Sequence, residues 1–179
     1  MTSENNWYAL KVFYNKSLAL KERLEDAGFD CYCALGYEGR PLVASLLFVR
    51  CSERQLLEYK ATCQNDISFA IYTRKEMRSS HFDSKPMERN VPAPIPENEM
   101  RAFILVTSAS PDTYEVLGPD DPKYHVGQKV RVAEGIFTGA EGYVKRIKKD
   151  RRLVISVSGI VAVATVHIRP EYLKPVEEN

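Results

Sequence analysis

A run of positive charge near the C-terminus is the strongest chemical signal in the sequence. Between residues 145 and 152 only Asp150 is acidic and only Ile147 is apolar. The basic residues of the run are Lys145, Arg146, Lys148, Lys149, Arg151 and Arg152. Such a cluster can neutralise phosphates, which predicts a nucleic-acid contact. The alternative is a solvated hairpin tip whose charge prevents association, since no aromatic residue is interleaved for base stacking.

The cysteines and histidines show no metal-ligand spacing. The four cysteines are residues 31, 33, 51 and 63, without a CxxC pair, and the three histidines are far apart. This pattern indicates reduced, mostly buried thiols. The sequence also lacks a P-loop, a GxSxG motif and paired catalytic carboxylates. We therefore expect no catalytic residue, no metal and no cofactor, and a protein that is not an enzyme.

Composition is that of an ordinary globular protein. Of 179 residues, 44% are hydrophobic and 27% charged, and the formal net charge is +1. Residues 1–123 carry 15 basic and 18 acidic side chains, whereas residues 124–179 carry 10 and 6. The longest apolar runs, 42–49 and 160–166, are far shorter than the roughly 20 residues of a membrane span. The first residues do not resemble a signal peptide, so we expect a cytoplasmic protein without a membrane contact.

The first part of the chain alternates strand and helix signals. Ser52 and Gln55 form a capping box that starts a helix, and residues 42–51 have the continuous apolar character of a strand buried on both faces. Asn15 is expected to cap the helix before it. The predicted strands are 7–14, 31–35, 42–51 and 67–73, and the predicted helices are 15–27, a helix starting at 52, and 97–108. Residues 74–90 are polar and predict a loop or hairpin. This order is typical of a ferredoxin-like α+β domain.

The second part of the chain contains only strand signals. Residues 109–122 hold three prolines and lack periodicity, which indicates a linker. Short strands are expected at 129–133, 142–147, 153–157 and 161–166, with a fifth within 168–176. Their spacing predicts a small closed β-barrel.

Two signatures resemble a known family. Residues 126–132 (VGQKVRV) and 134–144 (EGIFTGAEGYV) resemble the KOW motif, in which Gly127 and Gly135 serve turns and Gly142 permits a close strand crossing. Trp7 with Tyr8, the run at 47–49 (LFV) and the run at 94–96 (PIP) resemble the NGN domain of NusG-type transcription elongation factors. The resemblance implies an NGN-like polymerase-binding domain at 1–108, a linker at 109–122 and a KOW SH3-like barrel at 123–179.

The resemblance also implies a function and partners. NusG-type factors bind the clamp helices of the largest RNA polymerase subunit through the NGN domain and reduce pausing. Their barrel recruits partners such as Rho or a ribosomal protein. In this sequence Leu42, Val43 and Leu46 occupy the stretch where the family commonly has polymerase-contacting aromatics, and Phe137 matches the aromatic of the barrel loop. The three aliphatic residues have an alternative interpretation as ordinary core residues.

Several functional alternatives remain at this point. The missing aromatics and the long 74–90 segment resemble specialised paralogues, which act as antiterminators of selected long operons such as those for surface polysaccharides. The alternatives are a housekeeping NusG factor and a ribosome- or RNA-binding protein that uses the KOW barrel alone. The basic run and the 74–90 segment predict a contact with nascent RNA or upstream DNA.

Overall fold

The structure is a computed structural model that describes residues 4–63, 67–78, 87–118, 127–147 and 149–176. Within these residues the protein is of the α+β class, as predicted, with three helices and antiparallel sheets. The chain forms two compact units. The first contains the residues up to Cys33 together with Val43–Pro94, and the second contains Ala34–Leu42 and the residues from Ile95 onward. None of the described helices is long and apolar enough to cross a bilayer.

The first unit is built around a four-stranded antiparallel sheet. Its elements are β1 Asn6–Val12, α1 Ser17–Asp26, β2 Asp30–Tyr32, β3 Leu46–Cys51, α2 Glu53–Thr62 and β4 Phe69–Ile71. The strand order is β2-β3-β1-β4. Because β3 lies between β1 and β2, the β1-α1-β2 segment is a split crossover, as the predicted order of elements requires.

The main core of this unit lies between the sheet and the two helices. Alternate residues of β1, Tyr8, Leu10 and Val12, pack in one cluster with Leu20 of α1 and Leu56 of α2. The opposite face of the sheet is also buried, as the low exposure of its side chains shows. The residues concerned are Trp7, Ala9 and Phe48. The predicted strand at 42–51 is thus confirmed for 46–51, which is buried on both faces, whereas residues 42–45 form the turn before it.

The two helices of the first unit start differently. The capping box of α2 is present, since the Ser52 hydroxyl accepts from the Gln55 amide at 3.2 Å and Gln55 Oε1 accepts from the Ser52 amide at 3.0 Å. The prediction that Asn15 caps α1 is wrong. Asn15 has φ +55°, so the chain reverses there and the helix begins two residues later without a side-chain cap.

The polar segment 74–90 forms one of the two predicted alternatives, a hairpin. β5 Thr73–Arg78 pairs with β6 Met87–Pro92 in an antiparallel ribbon, from Thr73 opposite Pro92 to Arg78 opposite Met87. Lys75 and Glu88 form an ion pair across it at 3.1 Å.

The second unit contains a helix and a six-stranded antiparallel sheet. Its elements are α3 Glu97–Thr107, β7 Tyr114–Gly118, β8 Lys129–Val132, β9 Glu141–Ile147, β10 Asp150–Val157, β11 Val161–Thr165 and β12 Leu173–Pro175. The strand order is β12-β8-β9-β10-β11-β7. The described strands β12 and β7 lie at the two ends of this order and do not pair with each other. The predicted positions of all five strands after residue 128 agree with this sheet.

The boundary expected at residues 109–122 does not coincide with the two units. Part of that interval is β7, which pairs with β11 and places Glu115 opposite Ala164. Helix α3 packs on β9 and β10. The Glu99 carboxylate accepts hydrogen bonds from the Ser158 amide at 2.9 Å and hydroxyl at 2.7 Å. Pro111 therefore begins a single turn that leads directly into a strand, and tertiary packing assigns the third helix to the second unit.

At Gly142 the backbone of β9 approaches that of β10 too closely to leave room for a side chain. A Cβ at this position would overlap the carbonyl oxygen of Val154 and lie 3.2 Å from Leu153 Cδ1. The predicted close strand crossing is therefore confirmed. Gly127 and Gly135 have φ angles of +129° and +91°, as their predicted places in turns require.

Gly142→Ala should destabilise the second unit. The added methyl group must displace backbone rather than a flexible side chain, so we expect a loss of about 1–3 kcal/mol in the free energy of unfolding. Urea denaturation monitored by circular dichroism measures it. The matched control is Gly36→Ala, because a Cβ there would make only an ordinary 3.5 Å contact with Leu42. Equal stability of the two variants would contradict the steric explanation.

Candidate functional site

The three aliphatic residues predicted to contact polymerase do not share one exposed surface. Leu46 is the first residue of β3 and is only 6% exposed, so it is a core residue. Val43 is half-buried in the turn before β3 and belongs to the first unit. Leu42 is half-buried and belongs to the second unit, where its amide donates to the Ala34 carbonyl at 2.7 Å. Of the three, Val43 is the one that can contribute to an exposed surface of the first unit.

An apolar edge surrounds Val43 at the end of the first unit's sheet. Phe13, Tyr14 and Leu18 follow β1 and are all exposed. Hydrogen bonds hold them beside the turn that contains Val43. The Val12 amide donates to the Ser45 carbonyl at 2.8 Å, and the Ser17 hydroxyl donates to the Ala44 carbonyl at 3.0 Å. We call Phe13, Tyr14, Leu18 and Val43 the apolar edge.

The backbone of the apolar edge is strained. Tyr14 has φ +59° and Asn15 φ +55°. A bulky residue rarely adopts this conformation, which costs on the order of 1–3 kcal/mol. It directs the Tyr14 side chain into solvent, where 84% of the residue is exposed. Strain of this kind is concentrated at functional sites. No residue pattern predicts this strain, because Tyr14 fits the end of a predicted strand.

The aromatic residue of the loop between β8 and β9 is buried. Phe137 is only 3% exposed and helps line a cleft of about 180 Å³, whose other walls include Val132 and Ile168. The exposed apolar residue of the loop is its neighbour Ile136, at 66%. The recruitment of a partner through Phe137 stays a prediction. Phe137 can meet only a partner group that enters the cleft.

The basic run lies on the β9–β10 hairpin, where the sequence predicted a hairpin. Lys145 is opposite Arg152, and Arg146 is opposite Arg151. Arg152 forms an ion pair with Glu115 at 2.8 Å and is largely buried. Lys148 lies outside the described residues. The residues of the run are therefore not equivalent, because one of them is already neutralised by a carboxylate.

The four thiols are free, as predicted. Cys33 and Cys51 are buried, and Cys31 and Cys63 are partly exposed. Burial raises the pKa of Cys31 to about 12 and that of Cys51 to about 11. The thiolate is the reactive form, so these two thiols are poor nucleophiles at neutral pH. Among the described residues, no group of three His, Cys, Asp or Glu side chains could hold a metal ion.

No protein-family model, curated protein or solved structure matches this chain. The candidate surfaces are the apolar edge of the first unit and, in the second unit, the cleft lined by Phe137 and the basic hairpin.

The raised thiol pKa values predict a loss of stability at alkaline pH. Above about pH 9 the unfolded chain releases thiol protons that the folded chain keeps, so the free energy of unfolding falls until the folded pKa is reached. Cys51→Ala should weaken this dependence. Urea denaturation at about pH 8 and about pH 10.5, under reducing conditions, measures it. Leu47→Ala, a core truncation on the same strand without a titrating group, should retain the wild-type pH dependence. An unchanged dependence in Cys51→Ala would contradict the assignment.

Proposed function

We propose that this chain is a transcription elongation regulator of the NusG type, which binds RNA polymerase through its first unit and reduces pausing and termination. The observation that carries the proposal is the apolar edge, which exposes aromatic side chains at one end of a rigid sheet. The strand order β2-β3-β1-β4 is the ferredoxin-like order expected of an NGN domain. The close crossing at Gly142 supports a KOW-like, SH3-like second unit.

The apolar edge provides the aromatic contact that the sequence lacks before β3. NusG-type factors commonly carry aromatics in that stretch, whereas this chain has Val43 there. Phe13 and Tyr14 reach the same end of the sheet from the β1–α1 connection. Aromatic side chains dominate binding energy at protein interfaces. We infer that they pack on the clamp helices of the largest polymerase subunit.

The proposed mechanism is a shift in population rather than covalent chemistry. A factor that binds the closed, elongating polymerase more tightly than the paused enzyme favours elongation by its difference in affinity. We propose that the chain acts on selected long operons, such as those for surface polysaccharides. The alternative within the same family is a housekeeping factor.

The cleft lined by Phe137 is the proposed recruitment surface of the second unit. Rho or a ribosomal protein would insert an apolar side chain towards Phe137, between Ile136 and the rim residues His167 and Arg169. A second candidate function, a KOW-based protein of the ribosome or of RNA, is favoured only by the basic hairpin. That function requires no exposed aromatic on the first unit, so the apolar edge separates the two candidates.

Tyr14→Asn should weaken polymerase binding without loss of stability. Asparagine tolerates the left-handed backbone better than tyrosine, so the unfolding temperature should stay equal or rise. Loss of a central aromatic contact should reduce affinity about tenfold or more. Biolayer interferometry with cognate core RNA polymerase measures the affinity.

The matched control is Tyr37→Asn, which removes an equally prominent aromatic, 67% exposed, from the second unit. This variant should bind polymerase like the wild type. Equal losses in both variants would sink the assignment of the apolar edge. Absence of binding by the folded wild type would exclude the elongation-factor function.

A further inference from the structure

The two faces of the β9–β10 hairpin differ in charge compensation. Side chains alternate along a strand, so Lys145 and Arg152 lie on one face and Arg146 and Arg151 on the other. On the first face Arg152 pairs with Glu115 at 2.8 Å. On the second face Arg146 and Arg151 are exposed, and no carboxylate among the described residues lies within 4.0 Å of either guanidinium. The second face therefore carries two arginines that no described carboxylate compensates, whereas on the first face one of the two cations is compensated.

This arrangement works against the stability of the hairpin. Like charges directly opposite on neighbouring strands repel, and Arg146 lies directly opposite Arg151. Some exposed cations of this protein are instead placed beside carboxylates, as in the pairs Arg54–Glu58 and Lys75–Glu88. Arg146 and Arg151 differ from these pairs in that each lies opposite a like charge on the neighbouring strand.

The turn of the hairpin adds a third cation under strain. Ile147 pairs with Asp150, which leaves a two-residue connection, and Lys149 in that connection has φ +77°. Such turns favour glycine, asparagine or aspartate where φ is positive. Lys149 is exposed. Three cations therefore lie together at one end of the hairpin, although repulsion and backbone strain both oppose the arrangement.

We propose that the face carrying Arg146 and Arg151, with Lys149 at its tip, binds the phosphate backbone of double-stranded nucleic acid. Guanidinium groups bind phosphate oxygens in a bidentate manner, and side chains opposite each other are close enough to contact the same or adjacent phosphates. The aromatic residue of the hairpin, Tyr143, lies on the other face with Lys145, so the face carrying Arg146 and Arg151 has no aromatic residue on which bases of a single strand could stack. The contact is therefore to the backbone of a duplex and independent of sequence.

This inference goes beyond the proposed function and does not depend on it. The binding involves residues of the second unit and requires no polymerase. The inference also reduces the number of residues in the basic run that contact nucleic acid. Arg152 is excluded because it already pairs with Glu115.

The test is fluorescence anisotropy of the full chain with a labelled short DNA duplex between about 50 and 200 mM KCl. Affinity should fall steeply with salt. In Arg146→Gln/Arg151→Gln, two phosphate contacts are lost, so the slope of log K against log salt should decrease by about 1.8. A duplex of RNA and a single-stranded RNA of the same sequence form the other arms. Comparison of the two duplexes shows whether the phosphates belong to DNA or to RNA.

Two further variants separate binding from folding. Arg151→Glu places a carboxylate opposite Arg146, so it should raise the unfolding temperature and abolish duplex binding. Arg40→Gln/Arg54→Gln is the matched control, since both arginines are exposed and already paired with glutamates. This control should bind duplex like the wild type.

Three results would overturn the proposal. They are no duplex binding by the wild type at low salt, equal losses in the control and in Arg146→Gln/Arg151→Gln, and tighter binding of single-stranded RNA than of either duplex. Because the assay contains no polymerase, each of these results leaves the polymerase measurement unaffected. Loss of polymerase binding in Tyr14→Asn likewise leaves the duplex result unaffected.

Discussion

The antiparallel pairing of β1 with β3 determines where the exposed residues of the first unit lie. Lys11 pairs with Leu46 and Tyr8 with Val49, and both strands are buried on two faces. A slip of one residue in β1 would turn the exposed Lys11 to the face that packs on the helices, so this register is strongly favoured. With the register fixed, the residues after β1 and the turn before β3 meet at the same end of the sheet. The apolar edge is a consequence of this pairing.

Patterns among residues that are close in sequence were sufficient to predict much of this fold. The Ser52–Gln55 capping box and the apolar run of β3 depend on neighbours in sequence, and both are present. Gly142 could be predicted because glycine within a strand pattern indicates close backbone approach. The place of α3 could not be predicted in this way. Its packing on β9 and β10 depends on partners that follow it by more than 30 residues.

The candidate sites were harder to predict because residue type does not distinguish core from surface. Leu46 and Phe137 were expected to meet partners, yet both are buried. Tyr14 was expected to end a strand, yet its left-handed backbone exposes it. For the basic run, sequence located the hairpin. The charge of Arg152 is compensated by Glu115, which is far away in sequence and lies close to Arg152 only because both residues belong to the same sheet.

The two proposed surfaces depend on different forces, and this difference has a consequence for how the chain would act. Binding at the apolar edge derives from burial of apolar surface, which salt weakens little, whereas contacts of arginine with phosphate weaken steeply with salt. A target that offers both a protein surface and a nucleic-acid duplex converts the second contact into an intramolecular one, which raises the overall affinity without any new contact. A transcribing polymerase carries its duplex with it, whereas free polymerase and free DNA each offer one surface. If both proposals hold, the chain therefore distinguishes the elongation complex from its separate components.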